Sequence, residues 1–134
     1  MIRPKYEAET KPTAAESKAA YASVAGRSGG VCEGCGMAPA TNMHHRKFRS
    51  AGGRDTAANL LHLCGMGNTS GCHGIAHGAL KMQNGWSVAP WNDPALVPVF
   101  HRRDGSWTRG AEILNPIDAV EYMVLVGQMK VRLE

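Results

Sequence analysis

The sequence predicts an α+β fold: a leading helix, a small unit of two strands and a helix, then a short β-hairpin and a C-terminal element. Three observations predict it. Thr13 and Glu16 have the spacing of a capping box, which satisfies free amide donors at a helix start. Four cysteines, Cys32, Cys35, Cys64 and Cys72, frame the middle of the chain. Five of the six histidines crowd into residues 44–77, on segments that change from strand to helix character.

Taken in order, residues 1–12 are polar, carry two prolines and read as a flexible arm. Ala14 to about Ala25 is rich in alanine and predicts a helix, which Gly26 and the pair Gly29 and Gly30 end. Met43 to Phe48 predicts a short strand, Ser50 to Asp55 a turn, and Asn59 to Leu63 a second strand. A glycine-rich loop separates Cys64 from Cys72, and Cys72 to about Lys81 predicts a helix. Beyond it, Gly85 to Ala89 and Val97 to His101 are strand-like, and Asp104 and Gly105 fit a hairpin turn with Ser106 to Thr108 returning. Asn115 and Pro116, followed by Asp118, read as a helix cap with proline at the first helical position. The tail is ambiguous, because its Val-Leu-Val run and Gly127 weaken a helix.

A chain of 134 residues suits one domain, here residues 13–134, with a core at about 32–81 and an extension over 82–134. Aromatic residues are only 6% and there are 16 glycines, so the core is thin and a covalent or metal staple would help it. Lys plus Arg number 15 against 11 Asp plus Glu, a mild excess that suits a polyanionic partner without proving one. No signal peptide and no bilayer-length apolar run is evident, so a soluble, cytoplasmic protein with no membrane partner is expected.

In a reducing compartment, clustered cysteines are more often metal ligands than disulfides. Cys32-Glu33-Gly34-Cys35 has the spacing of a zinc knuckle. Cys64 and Cys72 have seven residues between them, wider than usual, but the intervening glycines allow both thiols to turn inward. The four together predict a closed structural Zn²⁺ site that contributes to folding and clamps the histidine-bearing segments. The competing readings are a redox pair, which lacks a surrounding thioredoxin pattern, and two disulfides, which the compartment opposes.

His44 and His45 are adjacent, so on a strand they face opposite ways. One can hold a metal while the other acts as a base. His73 and His77 stand one helical turn apart, a chelating spacing. His62 and His101 are better read as core or solvated residues. The run Cys32, Cys35, His44-His45-Arg46, Asn59-Leu60, Cys64, Cys72-His73 and His77 resembles the HNH endonuclease family, whose site is the ββα-metal motif. The match covers about residues 32–80. The Cys64–Gly74 loop, Gly85-Trp86 and Trp91-Asn92-Asp93-Pro94-Ala95 look like the version found in phages and actinobacteria.

The resemblance implies a metal-dependent endonuclease that hydrolyses DNA phosphodiester bonds and leaves 5′-phosphate and 3′-hydroxyl ends. His45 would be the general base, and Asn59 the residue that orients it by hydrogen bonding. His44, His73 and His77 would hold one catalytic divalent metal, Mg²⁺ or Mn²⁺ by family habit, with Ni²⁺ or Zn²⁺ also suited to imidazole. Many members carry Asp at the His44 position; the histidine pair resembles bacterial toxin nucleases. Arg46, Lys47, Arg49 and Arg54, beside the pair, are candidate DNA-phosphate contacts, against the alternative of a solvated basic turn. Arg102, Arg103 and Arg109 would extend that surface. Trp86, Trp91 and Trp107 are expected to pack a small sheet and not to stack on bases. With no recognition helix in view, low sequence specificity follows. The alternative from another class is a zinc-ribbon module that binds nucleic acid without cutting it. Phage-type relatives of such a sequence assist genome packaging beside a terminase, act as homing enzymes or serve in defence. A bacterial or phage-infected cytoplasm is the implied setting. Oligomeric state is open.

Overall fold

A computed structural model describes residues 10–79 and 81–129. Most of the expected arm, residues 1–9, lies outside the described residues. The element order is α1 (Ala14–Ser28), β1 (Asn42–His45), β2 (Leu60–Leu63), α2 (Gly71–Ala76), β3 (Val99–Phe100), β4 (Trp107–Gly110), β5 (Leu114–Ile117) and α3 (Ala119–Gln128). The fold is mixed α+β, as expected. Among the described residues no helix is long and apolar enough to cross a membrane.

The start of α1 follows the capping box in both directions: the Glu16 amide donates to Thr13 Oγ1 and the Thr13 amide to Glu16 Oε1. A cap of this kind is worth about 0.5–2 kcal/mol. The helix runs three residues past Ala25 and closes on Gly29, whose φ of 62° is the left-handed cap conformation.

β1 and β2 pair antiparallel, His44 opposite Leu61 and His45 opposite Leu60. The two-residue period then sorts side chains onto two faces. Leu61 and Leu63 point into a cluster with Cys32, Cys72, Ala76, Trp86 and Val99. Leu60 points the other way and packs with Val24 and Ala57, with Tyr21 and Met43 beside them. Each buried leucine contributes about 1.5–3 kcal/mol, so so few of them make a modest core.

Arg27 bridges the layers. Its Nε and Nη2 donate to the two Glu33 carboxylate oxygens at 2.6 and 2.8 Å, and Nη2 also reaches Leu60 O at 2.7 Å. Arg46 does the same for the loops. It is 1% exposed, and its guanidinium donates to the carbonyls of Gly85, Ala58, Pro94 and Val97 at 2.7–3.0 Å. Burial pushes its pKa down to about 9, still above neutral pH, so the group stays charged.

The C-terminal part differs from expectation in three places. Gly85–Ala89 is not a strand; Trp86 is instead fully buried, its indole N–H donating to Phe100 O at 2.9 Å. Asn115 and Pro116 lie in β5, the edge of the β3–β4–β5 sheet, and not at a helix start. An edge strand tolerates a proline because one side of it makes no ladder bonds. The tail is helical over Ala119–Gln128, where Asp118 caps α3 by accepting from the Glu121 amide and Leu125 anchors it; residues 130–134 lie outside the described residues. Trp107 packs between Phe100 and Tyr122, ring centroids 5.1 and 4.6 Å away.

Arg46→Met should destabilise the protein by at least about 3 kcal/mol in urea unfolding, because each buried carbonyl stripped of its donor costs about 1–3 kcal/mol. A change under about 1 kcal/mol would mean that water replaces the guanidinium at those carbonyls.

Candidate functional site

The four cysteine sulfurs converge. They lie within 4.8 Å of one another, and Cys35 Sγ and Cys64 Sγ are 3.9 Å apart. A tetrahedral thiolate site with bonds near 2.3 Å has sulfur–sulfur edges of about 3.8 Å, so the spacing fits a metal. Backbone amides aim at the sulfurs: Cys35 N at Cys32 Sγ and Cys72 N at Cys64 Sγ, both 3.4 Å. The long Cys64–Cys72 loop closes at Gly65, whose φ is 114° and where a Cβ would lie 2.0 Å from Ser70 O. Cys32 has its pKa pushed down to about 4, chiefly because Cys72 donates to it, and Cys72 as that donor is pushed up. Arg102 donates to Cys72 Sγ at 3.4 Å and offsets the negative charge.

A second cluster forms on the same side of β1. One ring nitrogen from each of His44, His73 and His77 lies within 4.8 Å of the others, and His73 Nε2 is 3.3 Å from His77 Nε2. Two nitrogens bound tetrahedrally at 2.0–2.1 Å stand about 3.4 Å apart, so this spacing also fits a shared cation. Partners fix the ring tautomers. His44 Nε2 donates to Trp86 O at 2.6 Å, leaving its lone pair on Nδ1. His73 Nδ1 donates to Gly67 O at 2.6 Å, leaving its lone pair on Nε2. Such outer contacts orient metal-binding imidazoles. Burial pushes the His44 pKa down to about 3, so the ring is neutral and able to ligate at any ordinary pH. His77 is lowered as well, by burial and then by His73 and Lys81. It sits at the C-cap of α2, because the helix ends at Ala76 and not near Lys81. Phe48 stacks on its ring at 5.0 Å, and Lys81 Nζ lies 5.3 Å from the Phe48 centroid.

His45 occupies the opposite face of β1. Its Nε2 is 2.7 Å from Asp55 Oδ1. A carboxylate only accepts, so Nε2 carries the proton and the lone pair is on Nδ1. The 3.3 Å approach of Arg49 Nε to the same nitrogen is then a contact between donors. Asp55 is held below the usual carboxyl range, first by His45 and also by the Ser17 hydroxyl and Arg49. His44, His45, Phe48, Arg49, His73 and His77 all line one open cleft of about 420 Å³.

Asn59 departs from its expected contact. It is fully buried, but its side chain does not bond to His45. Oδ1 accepts from Lys47 N at 2.7 Å, and Nδ2 donates to Lys47 O and Arg54 O at 3.1 and 3.0 Å. It clamps both ends of the 47–54 loop, which carries Asp55 at its exit. Gly53 closes that loop: a Cβ there would lie 1.6 Å from Lys47 O. The group that orients His45 is thus Asp55, which the sequence reading passed over as turn material.

The basic residues divide. Arg46 and Lys47, expected as DNA contacts, are 1% and 5% exposed and do not line the cleft. Four carbonyls consume the Arg46 guanidinium, and Asn59 holds the Lys47 backbone at both its N–H and its carbonyl. Arg49 is exposed at the cleft. Arg102 serves the sulfur cluster, Arg103 approaches Gly36 O at 3.4 Å, and Arg109 pairs with Glu121 at 2.6 Å. His62 and His101 bond to Ser28, and to Glu33 O and Thr108, respectively. No family model, curated protein or solved structure matches the chain.

Cys35→Ser should lower the Tm far more than His73→Ala, because a structural thiolate metal site in small domains carries about 10–16 kcal/mol of apparent binding energy. Thermal unfolding with metal analysis of each variant checks this, and equal shifts would show that the sulfur cluster is not the staple. Asn59→Asp keeps the acceptor and loses two donations, which should cost about 2–4 kcal/mol in urea unfolding.

Proposed function

We propose that this protein is a metal-dependent endonuclease that hydrolyses DNA phosphodiester bonds, and that β1, β2 and α2 form a ββα-metal core. The observation that carries the reading is the split across β1. Three convergent imidazoles, His44, His73 and His77, stand on one face, and the Asp55-held His45 on the other, with one cleft in front of both.

His45 is the general base. Its Nδ1 lone pair takes a proton from water, a transfer that imidazole makes near neutral pH. Asp55 keeps Nε2 protonated, aims the ring, and balances the positive charge the ring acquires. Asn59 is a positioning residue that acts through the loop. Arg49, exposed beside His45, offers a fork for a phosphate oxygen. A divalent ion bound by His44, His73 and His77 supplies Lewis acidity toward the phosphate oxygens. Three imidazoles with no carboxylate among them suit Mn²⁺, Ni²⁺ or Zn²⁺ better than Mg²⁺ on ligand chemistry. The four thiolates take a structural Zn²⁺, a closed site with no position for substrate.

The test is nicking of supercoiled plasmid in Mg²⁺, Mn²⁺, Ni²⁺ and Zn²⁺. His45→Ala should lose about 10²–10⁴-fold in rate with its Tm and zinc content kept. Asp55→Asn should lose at least about tenfold, since the wrong tautomer becomes accessible. Equal nicking by wild type and His45→Ala would remove His45 as the base. DNA binding without nicking in any of the four metals would favour the zinc-ribbon binding module.

A further inference from the structure

Two of the three convergent imidazoles are oriented by carbonyls, His44 by Trp86 O and His73 by Gly67 O. The third, His77, is set by a ring. Phe48 stacks on it with centroids 5.0 Å apart and planes 14° apart, and meets His44 edge-on at 6.1 Å. His77 stands at the C-cap of α2 with a φ of −105°, past the last regular turn, so the helix alone does not fix its side chain. Stacking holds the plane of an imidazole, and the lone pair that binds a metal lies in that plane.

Phe48 is itself held. Its carbonyl accepts from the amides of Ala51 and Gly53, both at 2.9 Å, and Asn59 clamps the residue before it at N–H and carbonyl. Lys81 Nζ, 5.3 Å from the ring centroid, adds a cation–π contact. The ring belongs to neither apolar cluster; half-buried, it lines the cleft with the three histidines. A side chain that served the core would stand in one of those clusters, whereas this one is spent on two candidate ligands.

We propose that Phe48 is a positioning residue for the histidine site: it fixes the plane of His77 and so sets the affinity of the three imidazoles for a divalent cation. The inference rests on the reading of His44, His73 and His77 as metal ligands. Groups that orient the ligands of a metal site govern its affinity, and here an aromatic face does for His77 what carbonyls do for the other two. One clamped loop then serves both faces of β1, with Phe48 near its start holding a ligand and Asp55 at its exit holding the base.

The test is titration with Co²⁺ of the full chain loaded with one Zn²⁺ per molecule, followed by absorption, in which thiolate bands report any exchange into the sulfur site separately from the imidazole site. Phe48→Leu keeps an apolar side chain and loses the ring face. It should weaken Co²⁺ at the imidazoles about 2–10-fold, the range that an aromatic pair is worth, with zinc content unchanged. Phe48→Tyr keeps the ring and should restore wild-type affinity. Tyr122→Leu, which breaks a ring pair with Trp107 outside the cleft, should leave the affinity unchanged. Wild-type affinity in Phe48→Leu, a loss in Phe48→Tyr as large as in Phe48→Leu, or the same loss in Tyr122→Leu overturns the assignment. So does a wild-type chain that takes up no Co²⁺ beyond the sulfur site. The two readings fail separately. Phe48-dependent Co²⁺ binding in a protein that nicks no plasmid keeps the positioning role and removes the nuclease. Nicking lost in His45→Ala, with Co²⁺ affinity the same in Phe48→Leu as in wild type, does the reverse.

Discussion

The convergence of Cys32, Cys35, Cys64 and Cys72 is the constraint on which the other contacts depend. It ties three stretches of chain that have little else to hold them: the turn after α1, the end of β2 and the start of α2. The apolar cluster around it is small and includes two of the cysteines themselves. Because His73 follows Cys72 directly, and its amide donates to Cys64 O at 2.9 Å, the sulfur cluster also decides where the first helix histidine stands. His77 then follows from one turn of helix. The short α2, only six residues, would be marginal alone and is held by this attachment.

From that anchor the site is assembled by alternation along β1. His44 goes to the face of Leu61 and the sulfur cluster, and His45 to the face of α1. The chain then needs a device to hold what lies beyond the strand end, and Asn59 is that device, bonding to both ends of the 47–54 loop. A route of contacts runs from the Thr13 cap through α1 and Ser17 to Asp55 and His45. The leading helix is thus part of the support of the candidate base and not an appendage to it.

Much of this was legible in the sequence, for a physical reason. Cysteines and histidines that share one cation must be close, so their spacing carries information about three dimensions, and a capping box is a local bond. What was not legible depends on distant backbone. Arg46 looked like a surface cation because the four carbonyls that bury it come from residues 58, 85, 94 and 97. A signal existed all the same: if His44 points inward, the two-residue period sends Arg46 inward too. Asp55 had a signal as well, as the only carboxylate between Glu33 and Asp93. Pro116 misled because a proline after an asparagine suits both a helix start and an edge strand, and only the pairing with β4 separates them.

The electrostatics of the histidine face bear most directly on what it is for. His44 is almost fully buried, and its Nε2 is spent on Trp86 O, which leaves its lone pair on Nδ1. The lone pair of His73 is likewise turned inward by Gly67 O, 3.3 Å from His77 Nε2. His77 Nε2–H can donate to that lone pair, while protonating His44 is opposed by its burial, which carries its pKa down to about 3. The four sulfurs form a metal-sized cluster of their own, so the imidazoles are not needed to complete it. Three imidazoles brought to one point are a donor set that a second cation would fit, with the Asp55-held His45 on the other face of the same strand.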